Sequence, residues 1–385
     1  MLGDKEPQVS FMYNSIPDPF VPEDHPLRHI RPLIDTQAIR RECAPLYSKL
    51  GRPSIPPEQL FLALLAGYIM GIRSERRLVM ELQCNMALRW FVGLLMHEKV
   101  WDASTFSQNR RRRFDRSGVL ERLFDQTVKR ALEAGLVSRH VSADGTLVRA
   151  NASFKSLVPI ELMMDPEEYK RHLRSEDRDD ADEPEDPGNR AVNFRGDKRS
   201  NATHRSTSDP DSRLVSKGTS GTGAYPGYTV NTVMENRHRI LLGIGTAIGH
   251  GSKVEEEGCM GLLDRVKRRF RVRLKSVGAD KGFFHARFIE GLLHRAVEPH
   301  IAPTRSGRQL WHRRVRMRVR GEAYRLSQRC RKKIEELYGE AKDWHGLRRF
   351  RRRGLLRVHQ EVLFIGWVLN LKRLAKLLVP LPQAT

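Results

Sequence analysis

The sequence predicts an α/β protein in which an all-helical N-terminal part precedes a domain built on a mixed β-sheet. Two patterns lead to this prediction. Up to Gly135, apolar residues recur three or four positions apart, which is the spacing of the buried face of a helix. From Ser138 onward, the order is strand, strand, strand, helix, strand, helix, strand, helix. A chain of 385 residues has room for both parts.

The helical part is predicted to span residues 25–136, after an irregular, proline-rich arm at residues 1–24. Pro57 suits the first position of a helix, Ser74 can cap the next helix, and Gly135 can end the last one. Several short helices joined by tight turns are typical of a helix-turn-helix-like DNA-binding domain.

One of these helices carries four consecutive arginines. They are Arg110, Arg111, Arg112 and Arg113. A basic helix of this kind can contact the phosphates of DNA. The run is equally compatible with an ordinary solvated helix face, and the sequence leaves both interpretations open.

The sheet domain is predicted to span residues 137–380. Its first strand is expected to be interrupted or ended by the pair Asp144-Gly145, and its second and third strands to pair across a turn at Asn236. The predicted strands cover residues 140–148, 228–234, 239–244, 274–279 and 297–301.

A polar insert separates the first two strands, at about residues 154–224. Eight of the eleven residues from 176 to 186 are acidic, and Ser, Thr, Gly and Asp dominate the rest. Such a composition predicts a mobile loop or a partly disordered excursion. The acidic run could imitate DNA and shield a basic surface, or it could be a plain solvated tract.

The charge balance points to a polyanionic partner. Lys and Arg number 69 against 46 Asp and Glu, which gives a formal net charge of +23. Neutralising nucleic-acid phosphates releases counterions, and this favours binding. The alternative is a basic protein without a specific ligand.

The cysteines and the apolar runs indicate the cellular compartment. Four scattered cysteines and no membrane-length apolar run predict a reduced, cytoplasmic, nucleoid-associated protein with no membrane partner.

Two aspartates follow strand-like stretches and are candidate metal ligands. Asp144 lies on or at the end of the first strand, and Asp280 lies where a later strand gives way to a loop. Such positions commonly bind ligands in open α/β sheets. Each has a simpler interpretation: Asp144-Gly145 suits a hairpin turn, and Asp280 suits a loop or a helix cap.

The third candidate, Glu335, lies on an arginine-rich helix. Arg331, Glu335 and Lys342 are four and seven residues apart and therefore share one face, so that a metal-binding carboxylate would have phosphate-binding cations beside it. The plain alternative is a surface ion pair between Arg331 and Glu335. The adjacent face is predicted to be apolar, with Leu326, Cys330, Ile334 and Leu337.

Convergence of the three carboxylates would create a site for two Mg²⁺ or Mn²⁺ ions about 3.5–4 Å apart.

The stretch from residue 305 to residue 357 is strongly basic. It contains nineteen Lys or Arg and five Asp or Glu, and Arg348 and Arg349 belong to it. The aromatic residues interleaved there can stack on bases or pack beneath the arginines; they are Trp311, Trp344 and Phe350.

Taken together, these motifs resemble the bacterial insertion-sequence transposases of the Asp-Asp-Glu (DDE) class, in particular the family named for insertion sequence five. The resemblance extends over almost the whole chain. The matching segments are residues 21–28, 51–54, 73–78, 87–91, 104–107, 143–146 and 278–282.

The most specific match is to the signature Tyr-x2-Arg-x3-Glu-x6-Lys, whose spacing fits Arg331, Glu335 and Lys342. Gln328 stands where the signature has tyrosine, and the neighbouring Glu336 fits the spacing less well. The resemblance implies an RNase H-like catalytic fold, Mg²⁺ dependence, DNA grip by Arg331 and Lys342, and recognition of terminal inverted repeats by the helical part.

The expected function is therefore a transposase that binds the double-stranded ends of its element, cuts phosphodiester bonds and joins 3′ hydroxyls to target DNA. The catalytic and metal-binding residues would be Asp144, Asp280 and Glu335. By resemblance, the active form is expected to be a homodimer or higher oligomer on DNA. Two alternatives remain, an inactive, domesticated DNA-binding protein and a host nuclease of similar fold.

Overall fold

The computed structural model describes residues 18–160, 193–194, 197–216, 223–304 and 321–379. Within these residues, the helices are α1 (Pro26–Ile30), α2 (Thr36–Cys43), α3 (Pro57–Ile69), α4 (Glu75–Cys84), α5 (Met86–Val92), α6 (Ser104–Asn109), α7 (Val119–Glu133), α8 (Ser252–Phe270), α9 (Ala286–His294), α10 (Glu322–Trp344) and α11 (Leu355–Leu378).

The described strands are β1 (His140–Arg149), β2 (Leu157–Pro159), β3 (Asn193–Phe194), β4 (Asp197–Lys198), β5 (His204–Ser206), β6 (Arg213–Val215), β7 (Tyr225–Glu235), β8 (Leu241–Ile248), β9 (Ser276–Ala279) and β10 (Glu298–Ile301).

The N-terminal part is helical, as predicted. Helix α3 has proline at its first position, and Ser74 caps α4 by accepting a hydrogen bond from the amide of Arg77 at 3.4 Å. Gly135 follows α7 with a φ of +69°, a conformation that glycine adopts without steric cost. The helix-turn-helix-like character stays a prediction.

The main sheet is mixed, with the order β10-β9-β1-β7 and both β6 and β8 paired to β7. Strands β1, β7 and β8 are antiparallel neighbours, whereas β9 and β10 run parallel to β1. Helices α8 and α9 make the connections into the parallel strands. Three antiparallel strands followed by two parallel ones, reached through helices, form the RNase H-like arrangement that the resemblance implies.

The pair Asp144-Gly145 does not interrupt or end the first strand, and the hairpin interpretation is wrong. Strand β1 continues to Arg149, with Asp144 opposite Thr232 and Gly145 opposite Asn231 on β7. The long partner strand supplies a continuous hydrogen-bonding ladder, and this outweighs the local turn preference of Asp-Gly.

The turn after β7 is longer than predicted, and β8 begins at Leu241 rather than at residue 239. Arg239 has a φ of +65°, which is incompatible with a strand. The carboxylate of Glu235 organises this turn, because it accepts hydrogen bonds from the amides of Arg237 and Ile240 at 2.9 and 3.3 Å.

Helix α11 joins the helical part to the sheet. Its residues 358 and 360–371 are buried, and it packs against β8 on one side and against α7 and α3 on the other. One continuous hydrophobic core therefore extends from α1 to α11. In the described ranges, no helix combines the length and apolarity needed to cross a membrane.

Part of the polar insert is folded onto the sheet. Strand β2 pairs with β5, β3 pairs with β4, and β6 extends the main sheet. Asp209 is buried and accepts hydrogen bonds from the hydroxyl of Tyr228 and the amide of Gly354, at 2.7 and 2.9 Å. Residues 199–216 are thus not a mobile loop, because buried hydrogen bonds hold them in place, and the prediction that the insert is partly disordered stays a prediction. The acidic run at 176–186 lies outside the described residues.

Candidate active site

Asp144 and Asp280 come from neighbouring parallel strands. The register of β1 and β9 pairs Ser142 with Gly278. Asp144 and Asp280 each follow two residues after this pair. They therefore lie at the same level, because parallel strands keep their register. Adjacent strands lie about 4.8 Å apart, so the two carboxylates project from the same region of the sheet.

Each aspartate is held by a nearby backbone amide. The Oδ1 atom of Asp144 accepts a hydrogen bond from the amide of Gly145 at 2.8 Å. The Oδ1 atom of Asp280 accepts one from Gly282, also at 2.8 Å, and so caps the single helical turn Lys281–Phe283. The capping interpretation of Asp280 is therefore confirmed, and the hydrogen bond fixes the orientation of this side chain.

Helix α10 carries Glu335 across the same part of the sheet, packing against β1, β9 and β10. Leu326 is 57% exposed, so the prediction that it faces the core is wrong. Ile334 and Leu337 of the predicted apolar face are buried, as expected, and three further residues of the helix are buried with them. These buried residues are Ser327, Ile334, Leu337, Tyr338 and Ala341.

Asp144 lies in a half-buried, partly charged environment. Burial raises the pKa of Asp144 to about 6, and the negative charges of Asp280 and Glu335 act in the same direction. The hydrogen bond from Gly145 and the charge of Arg331 act in the opposite direction. Negative charge is thus concentrated at Asp144 and only partly compensated by the protein.

Glu335 and Glu336 point to different partners. The side chain of Glu335 is 65% exposed, and its Oε1 atom lies 3.4 Å from Nη1 of Arg331, as the surface-pair alternative expects. Glu336 forms an ion pair with Arg239 at 2.7 Å. Of these two neighbours, Glu335 is the one whose negative charge helps to raise the pKa of Asp144.

The candidate residues are of the chemical type that binds divalent metal ions. Carboxylate oxygens are the ligands that Mg²⁺ and Mn²⁺ prefer, and a bound cation would stabilise the charged form of Asp144, whose pKa is raised first by burial and then by the charges of Asp280 and Glu335. In the part of the chain that the structure describes, no group of three or more His, Cys, Asp or Glu side chains is already gathered around a metal position. Glu335, which is exposed and turned toward Arg331, would have to reorient to join the aspartates.

Two cations of α10 border the carboxylates. The ammonium group of Lys342 donates a hydrogen bond to Oγ1 of Thr146 on β1, at 2.7 Å. Thr146 is two residues beyond Asp144 and therefore on the same face of the strand. Arg331 is 15% exposed at its side chain, so most of its stem is packed.

The sequence did not reveal Tyr338. Its buried hydroxyl donates a hydrogen bond to the backbone carbonyl of Asp144 at 3.0 Å, and its ring is part of the sheet-facing side of α10. The one available signal was its position three residues after Glu335, which places the two residues on neighbouring faces of the same helix.

The four arginines after α6 have different surroundings. They begin a π-helical turn, Arg110–Phe114, instead of continuing the predicted α-helix. Arg110 pairs with Glu75, and burial lowers its pKa to about 10. The guanidinium of Arg113 lies over the ring of Tyr47, 4.4 Å from its centroid. Arg111 and Arg112 are exposed.

A cleft of about 910 Å³ lies between the helical part and the end of α10. Its walls include Arg73, Arg76 and Arg351, all exposed, and Trp344, which is 68% exposed. Phe350 also reaches this cleft but is 2% exposed and stacks edge-on against Tyr228.

Of the remaining basic and aromatic candidates, Arg348 and Arg349 are exposed, and Arg348 pairs with Asp343. The packing alternative is confirmed for Phe350, because a buried ring cannot stack on a base. Trp311 lies outside the described residues.

Comparison with known families identifies the class of protein. The Transposase domain (DUF772) matches residues 16–112, and the Transposase DDE domain matches residues 195–371. The second match begins after β1, so Asp144 lies between the two matched segments. The chain belongs to the transposases with a DDE domain. Its membership of the family named for insertion sequence five stays a prediction.

Two solved transposase structures show weak similarity to the chain. The chain is 11% identical to the piggyBac transposase in a synaptic complex with hairpin DNA, with a TM-score of 0.31 and coverage of 75% of this chain and 52% of that one. It thus spans about half the length of that protein.

The Mos1 transposase in a paired-end complex with the left transposon end is likewise 11% identical, with a TM-score of 0.20 and coverage of 78% and 83%. No curated protein matches the sequence.

Proposed function

We propose that this transposase cuts DNA at the ends of its own element and transfers the freed 3′ hydroxyls to target DNA, with Asp144, Asp280 and Glu335 as the catalytic, metal-binding residues. The observation that carries the proposal is the placement of Asp144 on β1 and of Asp280 directly after the adjacent parallel strand β9, with the helix that carries Glu335 packed against both strands. Carboxylates that the fold places on neighbouring strands repel each other, and such costly arrangements are frequent at functional sites.

The divalent cations, when bound, would supply Lewis-acid activation of a water or sugar hydroxyl and stabilisation of the leaving oxygen. The chain's own residues prepare the site for them. Gly145 and Gly282 hold the two aspartates by their amides. The side chain of Glu335 is 65% exposed, and its carboxylate is able to reorient when DNA and metal arrive.

Arg331 and Lys342 are proposed to hold the phosphates on either side of the cleaved bond. Both cations lie on the α10 face that carries Glu335, and Lys342 is fixed by Thr146 only two residues from Asp144 on β1. An ammonium and a guanidinium placed beside carboxylates favour a substrate that brings its own negative charge together with metal ions.

The helical residues 25–136 are proposed to recognise the inverted repeats, while residues 137–380 form the catalytic domain. Within the helical part, Arg111 and Arg112 are the exposed members of the arginine run and are the ones we assign to phosphate contacts. Arg110 and Arg113 are assigned to holding the fold, because Glu75 and Tyr47 already engage them.

A second DNA contact is proposed for the cleft between the two parts. Exposed arginines at its walls suit a phosphate backbone, and the exposed ring of Trp344 suits stacking on an unpaired base. Arg348 and Arg349 would extend this basic surface. A homodimer on DNA is proposed because both ends of an element have to be processed together.

The proposal is tested with the purified protein, Mg²⁺ and labelled duplexes taken from the DNA that flanks the coding region. The expected result is cleavage at fixed positions beside an inverted repeat, followed by joining to a second duplex. Asp280→Ala should abolish cleavage and leave DNA affinity within about threefold of the original.

The matched control is Asp264→Ala. Asp264 lies away from the site and forms an ion pair with Arg295, with 2.7 Å between the two side chains. Cleavage by the Asp280→Ala protein would overturn the assignment. Binding without cleavage by the unaltered protein would favour the domesticated alternative, and cutting without joining would favour the nuclease.

A further inference from the structure

Gln328 connects α10 to two strands of the sheet through one amide group. Its Nε2 atom donates hydrogen bonds to the backbone carbonyls of Ala279, at 3.1 Å, and of His300. Ala279 is the last residue of β9, directly before Asp280, and His300 lies on the adjacent strand β10. Both protons of the amide nitrogen are therefore used at the strand ends.

The oxygen atom of the same amide group contacts Arg331, a residue of the candidate site. The Oε1 atom of Gln328 accepts a hydrogen bond from Nε of Arg331 at 3.3 Å. Arg331 in turn lies 3.4 Å from Glu335. A continuous series of contacts thus leads from the backbone beside Asp280, through Gln328 and Arg331, to Glu335.

The helix approaches β9 closely at this point. A Cβ atom added to Gly278 would lie 2.8 Å from Oγ of Ser327, the neighbour of Gln328. Ten residues further along α10, Tyr338 binds the carbonyl of Asp144. Glu335 lies between these two attachments and about 10 Å along the helix from Gln328, at 1.5 Å per residue.

We propose that Gln328 is a positioning residue that sets where Glu335 and Arg331 lie relative to Asp280, and so sets the affinity of the site for divalent metal. This inference rests on the proposed function, since it takes the three carboxylates as the metal ligands. Tyrosine, which the transposase signature has at this position, has one hydroxyl donor and cannot make the two carbonyl contacts and the Arg331 contact together.

The test compares Gln328→Met, which keeps the size but loses all three hydrogen bonds, with Gln328→Glu, which places an oxygen against two carbonyl oxygens. We expect cleavage to fall about 10- to 100-fold and the Mg²⁺ concentration for half-maximal rate to rise about 10-fold, as for partners that orient metal ligands. Mn²⁺ titration of the protein without DNA, followed by electron paramagnetic resonance, should show the same loss of metal affinity.

The matched control is Gln126→Leu, which removes a half-buried glutamine bonded to Glu42 at 3.5 Å, far from the site. It should leave both metal readouts unchanged. Saturating Mg²⁺ should restore part of the rate of Gln328→Met, whereas a merely unstable variant would not respond in this way. Should Gln328→Met fail to fold, Gln328→Glu, of the same shape as the original, serves in its place.

Unchanged Mn²⁺ affinity and an unchanged Mg²⁺ requirement in a folded Gln328 variant would overturn the inference. Absence of cleavage by the unaltered protein would instead count against the proposed function. In that case the Mn²⁺ titration still decides the role of Gln328, because it requires no DNA and no turnover.

Discussion

The hydroxyl of Tyr338 donates a hydrogen bond to the backbone carbonyl of Asp144 at 3.0 Å, and this bond joins the helix that carries Glu335 to the strand that carries Asp144. The tyrosine is buried, so the bond is shielded from competing water. It brings together two groups that are 194 residues apart in sequence. The position of Glu335 therefore depends on how α10 docks on β1.

The neighbouring acids Glu335 and Glu336 should differ sharply in their effect on cleavage. Glu335→Gln is expected to reduce the cleavage rate at least about 1000-fold, because a neutral amide is a poor metal ligand. Glu336→Gln should stay within about threefold of the original, since Glu336 is occupied by Arg239. Single-turnover cleavage with Mg²⁺ measures both. Equal reductions in the two variants would show that the helix face has been misassigned.

Asp144→Asn should stabilise the metal-free protein at neutral pH while abolishing cleavage. The folded protein raises the pKa of this carboxyl from 3.8 to about 6, so stability is highest below 3.8, where Asp144 is protonated, and is lost as the pH rises through 6. At pH 7.5 the amide should increase the free energy of unfolding by about 1–3 kcal/mol.

Urea unfolding in EDTA at pH 7.5 and at pH 4 measures this effect. The gain should nearly vanish at the lower pH, where aspartate is largely neutral in the folded protein. An equal gain at both pH values would mean that burial of charge is not its cause.

The arginine run should divide into two pairs. Replacing Arg111 or Arg112 by Gln should weaken DNA binding without changing the melting temperature. The slope of log affinity against log salt should fall by about one for each phosphate that the variant no longer neutralises. Arg110→Gln should instead destabilise the fold by about 2–4 kcal/mol, because it leaves Glu75 without its buried partner.

Filter binding across a salt series and thermal melting separate the two outcomes for the arginine run. The Arg110→Gln protein should melt at a lower temperature, and the other two variants should melt with the original. A lowered melting temperature in all three variants would contradict this division.

Glu340 should stabilise the packing of α10 on α11 in a pH-dependent way. Its hydrogen bond with His345 and its interactions with Lys372 and Arg373 lower its pKa from 4.5 to about 2. A lowered carboxyl pKa gives stability that is present above 4.5 and lost as the pH falls toward 2.

Glu340→Gln is therefore expected to cost about 1–3 kcal/mol at pH 7 and much less at pH 3. Thermal melting at the two pH values measures the difference. As a control, Asp343→Asn removes an exposed ion pair with Arg348 on the same helix, which should matter little at either pH.

The sequence alone determined the class of fold and the identity of the candidate residues. Apolar periodicity located the helices around α3 and α7, and alternation located the strands, because these patterns report local burial. The spacing of Arg331, Glu335 and Lys342 placed them on one helix face by helical geometry alone. The transposase resemblance added the order of the acids along the chain.

Which of these residues meet depends on contacts that form when the strands and helices pack together. The partner strand β7 keeps β1 extended through Asp144-Gly145, against the local preference for a turn. Parallel pairing of β1 with β9 brings Asp144 and Asp280 level, and this depends on a register that no local pattern contains. Gln328 and Tyr338 become attachments of α10 only when the helix docks on the strands. Local patterns record the environment of single segments, whereas a shared site depends on contacts between segments that are far apart in sequence.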